Sequence, residues 1–165
     1  MRALSEQELL NVWEQGQRQT LPIRALMLLV PSCPDLNLDA LAGLSIGKRD
    51  AFLLHLRELT FGQGLLGLAG CPECSEKLEL DFRLDDLRSR SGSEFGREIA
   101  FSLAGYNLRI RPVNTFDLLS IVQMKDESQA RDELLNRCIL MAQYQGNDIS
   151  FGQLPSALIE SVEEK

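Results

Sequence analysis

From the start of the chain to Phe61 the apolar residues keep a helical rhythm; they then alternate with polar ones, and after Pro112 the helical rhythm returns. Ser5 with Glu8 three positions on predicts a capping box, in which each side chain bonds the other residue's backbone N–H. Leu9, Leu10 and Trp13 then share one face. Pro22 suits the first turn of a second helix, and Ile23 to Val30 is apolar almost throughout, which predicts burial on most sides. The segment Pro31-Ser-Cys-Pro34 is expected to stop that helix. Leu38 to Leu41 predicts a short helix. Ser45 is expected to cap a longer one reaching Leu59, with Phe52, Leu53, Leu56 and Leu59 at three- and four-residue spacing.

Gly62, Gly64, Gly67 and Gly70 then fall within nine residues, just ahead of Cys71-Pro-Glu-Cys74. Leu65 to Leu68 before the cysteines and Leu78, Leu80 and Phe82 after them predict strands, the second half-buried. Asp86 to Gly96 is polar and reads as a loop. Ile99, Phe101 and Leu103, a turn at Gly105, and Tyr106, Leu108 and Ile110 predict a hairpin. Asn114 or Thr115 is expected to cap a helix bearing Phe116, Leu119 and Val122. Asp126 or Ser128 caps another, with Leu134, Leu135, Cys138, Ile139 and Met141 inward. A last helical segment starts at Pro155 with Leu158, Ile159 and Val162. The predicted fold class is α+β: N-terminal helices over 1–61, a small three-stranded antiparallel sheet with a Cys-x-x-Cys knuckle over 62–112, and C-terminal helices over 113–165. All of it is expected to form a single domain spanning 1–165, since 165 residues suffice for one real core.

Charge narrows the partners. Lys and Arg number 17 against 24 Asp and Glu, a net charge of −7. Such a chain lacks the electrostatic footprint for duplex DNA or an anionic membrane. Its longest apolar run, Leu21 to Pro31, is interrupted by Pro22 and Arg24 and is shorter than the ~20 residues of a membrane span. Met-Arg-Ala-Leu-Ser-Glu-Gln-Glu is not a basic start followed by an apolar stretch, so the expected location is the cytoplasm.

Four cysteines do not form a disulfide framework: Cys71 and Cys74 are close, while Cys33 and Cys138 are remote. Two thiols separated by two residues, flanked by strands, can turn around one metal ion, which makes Cys71 and Cys74 candidate zinc ligands. They are half a site, since a structural zinc takes four ligands and no second C-x-x-C or H-x-x-C is present. The other ligands would come from outside the chain, or the knuckle fold is kept without metal. A dithiol redox motif would open a helix, whereas alternation follows Cys74. Gly62-Gln-Gly64-Leu-Leu-Gly67 fits G-x-G-x-x-G, but the dinucleotide reading needs a strand before and a helix after, and the order here is reversed. Turn and close-packing roles explain these glycines better.

His55, the only histidine, is expected at a core or interface margin, with no nucleophile and acid to complete a triad. Cys138 is expected to pack as a small hydrophobe and Cys33 to be buried in a loop. Asp85-Asp86 reads as a strand end or helix cap. Arg109 and Arg111, with Arg83 across from them, would form a small basic patch offset by Glu79 and Asp81.

Four segments occur in order: Arg-Ala-Leu-Ser-Glu-Gln-Glu-Leu-Leu from Arg2, Leu-Ser-Ile-Gly-Lys-Arg-Asp-Ala at 44–51, Leu-Arg-Glu-Leu-Thr-Phe-Gly at 56–62 and Cys-Pro-Glu-Cys-Ser-Glu-Lys-Leu-Glu-Leu at 71–80. With Tyr106 to Leu119, this pattern resembles the baseplate hub assembly protein family of T-even-type phage, whose bacterial relatives lie in gene clusters of phage-tail-like contractile injection systems. The resemblance implies a non-enzymatic assembly factor, chaperone or structural part of a baseplate. Its partners would be baseplate, hub or tape-measure proteins rather than membrane, nucleic acid or a small-molecule substrate. It also implies a second Cys-Pro-x-Cys beyond an acidic helix, and none occurs up to Lys165. The alternative reading is a zinc-ribbon-like adaptor for nucleic acid or a transcription component; a third is an oxidoreductase using Cys71 and Cys74.

Overall fold

The computed structural model describes residues 1–87, 98–155 and 158–159. The chain divides into two compact units, residues 1–95 and 96–165. Within the first, α1 (Glu6–Gly16) opens on the expected capping box, with Ser5 Oγ accepting from the Glu8 N–H and the Glu8 carboxylate accepting from the Ser5 N–H at 2.8 Å. Arg2 donates to both Glu8 oxygens, at 2.9 and 2.5 Å. With the Ser5 amide and hydroxyl, that guanidinium holds the Glu8 carboxyl at about 2.

Helix α2 (Leu21–Ser32) carries Pro22 in its first turn and stops inside the Pro31–Pro34 segment, as the sequence predicts. Its last carbonyls are not left bare: Leu29 O accepts from the Cys33 N–H at 2.9 Å and from the Ser32 hydroxyl at 2.9 Å. Asn37 caps α3 (Leu38–Ala42), and Ser45 caps α4 (Ile46–Phe61). Leu26, Leu29, Cys33, Leu41 and Ala42 make the core of this unit, with Leu44, Phe52 and Leu53 packed against them. Leu21 and Val30 are exposed, so burial of α2 is one-sided rather than nearly complete. Leu10 and Trp13 on α1 and Leu59 on α4 are also exposed, contrary to the inward face their spacing suggests.

Strands β1 (Gly64–Gly70) and β2 (Lys77–Arg83) pair antiparallel in register from Gly64↔Arg83 to Gly70↔Lys77 and form a two-stranded sheet of their own. A short turn of helix, α5 (Leu84–Leu87), follows, and Asp86 Oδ2 accepts from the Arg83 N–H at 2.9 Å. Asp86 thus caps a strand end, as expected. Most of the polar stretch read as a loop, 88–97, lies outside the described residues.

The second unit corrects the predicted three-stranded sheet. Strands β3 (Ile99–Leu103) and β4 (Tyr106–Ile110) form the expected hairpin, but β2 does not join it. The third strand is β5 (Ile139–Tyr144), and β6 (Asn147–Asp148) adds a fourth in the order β3-β4-β5-β6. The region after 113 is therefore not all helical. Helix α6 (Thr115–Ile121) is capped by Asn114, and α7 (Glu127–Cys138), capped by Asp126, ends where β5 begins. Ile139 and Met141 were expected on that helix. The cause is long-range pairing: the Arg111 N–H bonds Cys138 O at 2.9 Å and hands the chain from helix to ladder. Two-residue turns close both hairpins, at Ala104-Gly105 (φ 51° and 83°) and Gln145-Gly146 (φ 50° and 85°). The cross-strand pair Tyr106 and Tyr144 stacks at 4.5 Å between ring centroids. Leu108, Ile110, Ala142, Leu154 and Leu158 form this unit's core, so the predicted terminal segment does contribute; Val162 lies outside the described residues. The face of α6 that turns inward carries Thr115 and Asp117, and Phe116 and Val122 are exposed.

Candidate functional site

The turn between β1 and β2 holds the two cysteines that the sequence singles out. The Cys71 N–H bonds Glu76 O at 2.9 Å and so extends the ladder one step past Gly70–Lys77. The chain then reverses over Pro72 to Ser75. The Ser75 N–H bonds Cys71 O at 2.8 Å, and Ser75 adopts φ 59° to return the chain to β2. Cys71 is half-exposed and Cys74 exposed, both as free thiols. The amide N–H groups of Cys74 and Glu73 point at Cys71 sulfur, the Cys74 thiol also bonds it, and together they lower the Cys71 pKa. Such a turn stabilises a thiolate and brings a second sulfur beside it. Among the described residues no three Cys, His, Asp or Glu side chains converge as a metal site.

The root of this hairpin is fixed to α4. The Arg57 guanidinium donates to the carbonyls of Gly62 and Gly64 and lies 5.8 Å from the centre of the Phe61 ring. Gly62 ends α4 at φ 80°, and Gly67 lies under Phe82, whose Cε2 is 3.8 Å from where a Cβ would stand. The glycine run thus makes a helix stop and a thin strand.

Two apolar surfaces in the first unit are uncovered. On one face of the hairpin Leu66 (84% exposed) and Leu68 (74%) stand opposite Asp81 and Glu79. A two-stranded ribbon of this kind is marginal alone, because it has no second layer. The other surface is a cleft of about 420 Å³ lined by Leu9, Val12, Trp13, Leu28, Phe61 and Arg24. Its rim residues Trp13 and Phe61 are 64% and 67% exposed. Arg24 there donates to the backbone carbonyls of Gln19, at 2.9 Å, and Gln17, at 2.8 Å.

The remaining candidates are dispersed. Cys33 is buried in the first core, its sulfur 3.6 Å from Ser32 Oγ. Cys138 is buried in the second unit, where desolvation and then the Asp117 charge push its thiol up. His55 is exposed on α4 with Nδ1 3.5 Å from Glu58 Oε2, so it is no core residue. The expected basic patch does not form: Arg83 belongs to the two-stranded sheet, Arg109 pairs with Glu98 at 3.5 Å, and Arg111 turns to Asp117.

Sequence reasoning missed that last cluster. Asp117 is fully buried on α6, and its Oδ2 accepts from Arg111 at 2.6 Å and the Asn114 N–H at 3.0 Å. Its Oδ1 accepts from Arg111 at 2.9 Å and Arg137 at 3.0 Å. Burial alone would raise this carboxyl; the bonds from Arg111, Asn114 and Arg137 outweigh it and hold the pKa at about 2. Only the Asn114–Asp117 spacing, a capping box on α6, hinted at it. The cluster ties β4, α6 and α7 together and is structural.

No helix among the described residues is long and apolar enough to cross a membrane. No curated protein and no solved structure matches this chain. The family model described as T4 bacteriophage base plate protein matches residues 3–164, so almost the whole sequence, hairpin and cysteine turn included, falls within it, and the chain belongs to that family.

Proposed function

We propose that this protein is an assembly factor or structural part of the baseplate or hub of a phage-tail-like contractile injection machine, and that it works by protein contacts rather than catalysis. The observation that carries the reading is the family match across residues 3–164. The uncovered surfaces agree with it: a contact protein needs apolar anchors in water, and Trp13, Phe61, Leu66 and Leu68 supply them. Hub, tape-measure or other baseplate proteins are the partners, met in the cytoplasm where tails are built. Deleting the gene in cells that express the whole machine is expected to leave few complete baseplates and sheathed tails by electron microscopy, with recovery on complementation. Tails at normal yield after deletion would refute the reading.

A further inference from the structure

The two edges of the β1–β2 ribbon differ in chemistry. The Leu84 N–H bonds Gln63 O at 3.0 Å and the Cys71 N–H bonds Glu76 O at 2.9 Å, one step beyond either end of the ladder. Bonded pairs recur at every second residue of an antiparallel ladder, so Leu65, Gly67 and Ala69 bond β2. The N–H and C=O groups of Gly64, Leu66, Leu68 and Gly70 then point the other way. Arg57 agrees with that direction, since its guanidinium takes the Gly64 carbonyl, one of the outward set. Among the described residues no hydrogen bond reaches the outward groups of Leu66 and Leu68.

The outer edge of β2 presents Lys77, Glu79, Asp81 and Arg83, and such charges discourage another strand from adding there. Strand β1 has no such defence. Residues 64–70 carry no charge and no proline, and the register runs without a bulge. The same two residues with open backbone groups, Leu66 and Leu68, are 84% and 74% exposed on one face.

We propose that two copies of this chain pair β1 against β1, antiparallel about Gly67, to make a four-stranded sheet in the order β2-β1-β1-β2. Pairing about Gly67 overlaps all of 64–70 and is isologous, so one edge serves both copies. Leu66 of each copy faces Leu68 of the other and exchanges N–H···O bonds in both directions. The leucines of both copies meet on one face as a single apolar cluster. The acidic residues of the two β2 strands stay three strand spacings apart, about 14 Å, beyond the screening length of ~8 Å at physiological salt. At the ends of the new ladder opposite charges meet. The tip of one hairpin, with Glu73 and Glu76, lies along the root of the other, where Arg57 holds the outward Gly64 carbonyl. A strand of another protein would bond the same backbone groups, but this match of acidic tip to Arg57 is a property of the chain with itself. The pairing gives Leu66 and Leu68 to a second copy and leaves Trp13 and Phe61 for other partners.

The test uses the full chain in reductant, so that no cysteine cross-links. Sedimentation equilibrium is expected to show a reversible monomer–dimer equilibrium. Amide hydrogen exchange followed by NMR is expected to slow at Leu66 and Leu68 as the dimer forms, with little change at Leu65 and Gly67, whose N–H groups already lie in the ladder. Leu66→Lys combined with Leu68→Lys sets like charges opposite each other between copies, while within one copy the new side chains face Asp81 and Glu79 and support the hairpin. Leu68→Pro removes an outward donor that the β1–β2 ladder does not use. Both variants are expected to keep the far-ultraviolet circular dichroism of the parent and to lose the dimer. A parent chain that stays monomeric at NMR concentrations, a dimer that survives both variants, or slowing at Leu65 and Gly67 instead each overturns the proposal. Edge amides that slow only when another baseplate protein is added assign the edge to that protein and overturn it as well. These measurements are made on the isolated protein, so their failure is separate from failure of the baseplate reading, which tail counts in cells decide.

Discussion

Replacing Asp117 by Asn tests whether one buried carboxylate holds β4, α6 and α7 together. The side chain is fully buried and takes hydrogen bonds from Arg111, Arg137 and the Asn114 amide. A carboxyl held at about 2 rather than its ordinary value corresponds to roughly 2–3 kcal/mol of differential stability at neutral pH. Removing one member of a buried ion pair costs about 3–5 kcal/mol, because the partner charges stay behind. Here the partners keep contact with water, Arg111 at 26% and Arg137 at 36% exposure, which draws the expected loss to the lower end, about 3 kcal/mol. Both tyrosines, Tyr106 and Tyr144, lie in the second unit and the single tryptophan, Trp13, in the first. Tyrosine ring resonances followed through urea unfolding therefore report on the second unit. The sign with pH is fixed by the lowered pKa: the stabilisation is complete above the unfolded value near ~4 and is lost as pH falls toward 2. The parent should lose stability over that window, and Asp117→Asn should lose correspondingly less. A cost under ~1 kcal/mol, or equal slopes from pH 4 to 2 in both proteins, would refute the reasoning.

In the first unit, Leu29→Ala removes a fully buried side chain from the core of α2, α3 and α4 and is expected to cost about 3 kcal/mol, read by tryptophan-detected urea unfolding. At the β3–β4 turn, Gly105→Val is expected to destabilise the second unit by about 1–3 kcal/mol. Gly105 sits at φ 83°, and a Cβ there would stand 3.5 Å from the Tyr144 ring; unchanged tyrosine resonances and an unchanged urea midpoint would count against it.

Local signals were legible because they act over three or four residues. Ser5 with Glu8, Ser45, Asn114 and Asp126 each bond a backbone N–H in the helix they start, whatever the rest of the chain does. The Cys71–Cys74 turn was legible for the same reason, since alternation on both sides leaves the thiols at a reversal. The faces were less legible. Spacing assigned Trp13 and Phe116 inward, yet both are exposed, and Asp117, which composition alone would place in water, is buried.

What the sequence determined by itself was the succession of the main helices, strands on either side of the cysteine turn, the hairpin at Gly105, and a pattern specific enough to indicate the baseplate family. Only the tertiary structure decided which strands share a sheet. Residues 139–144 carry an apolar pattern that suits a helix or a strand, and the free edge of β4 selects the strand by offering backbone partners 29 to 38 positions away. Neither that edge nor the paired guanidiniums that make burial of Asp117 favourable exists until the chain has folded.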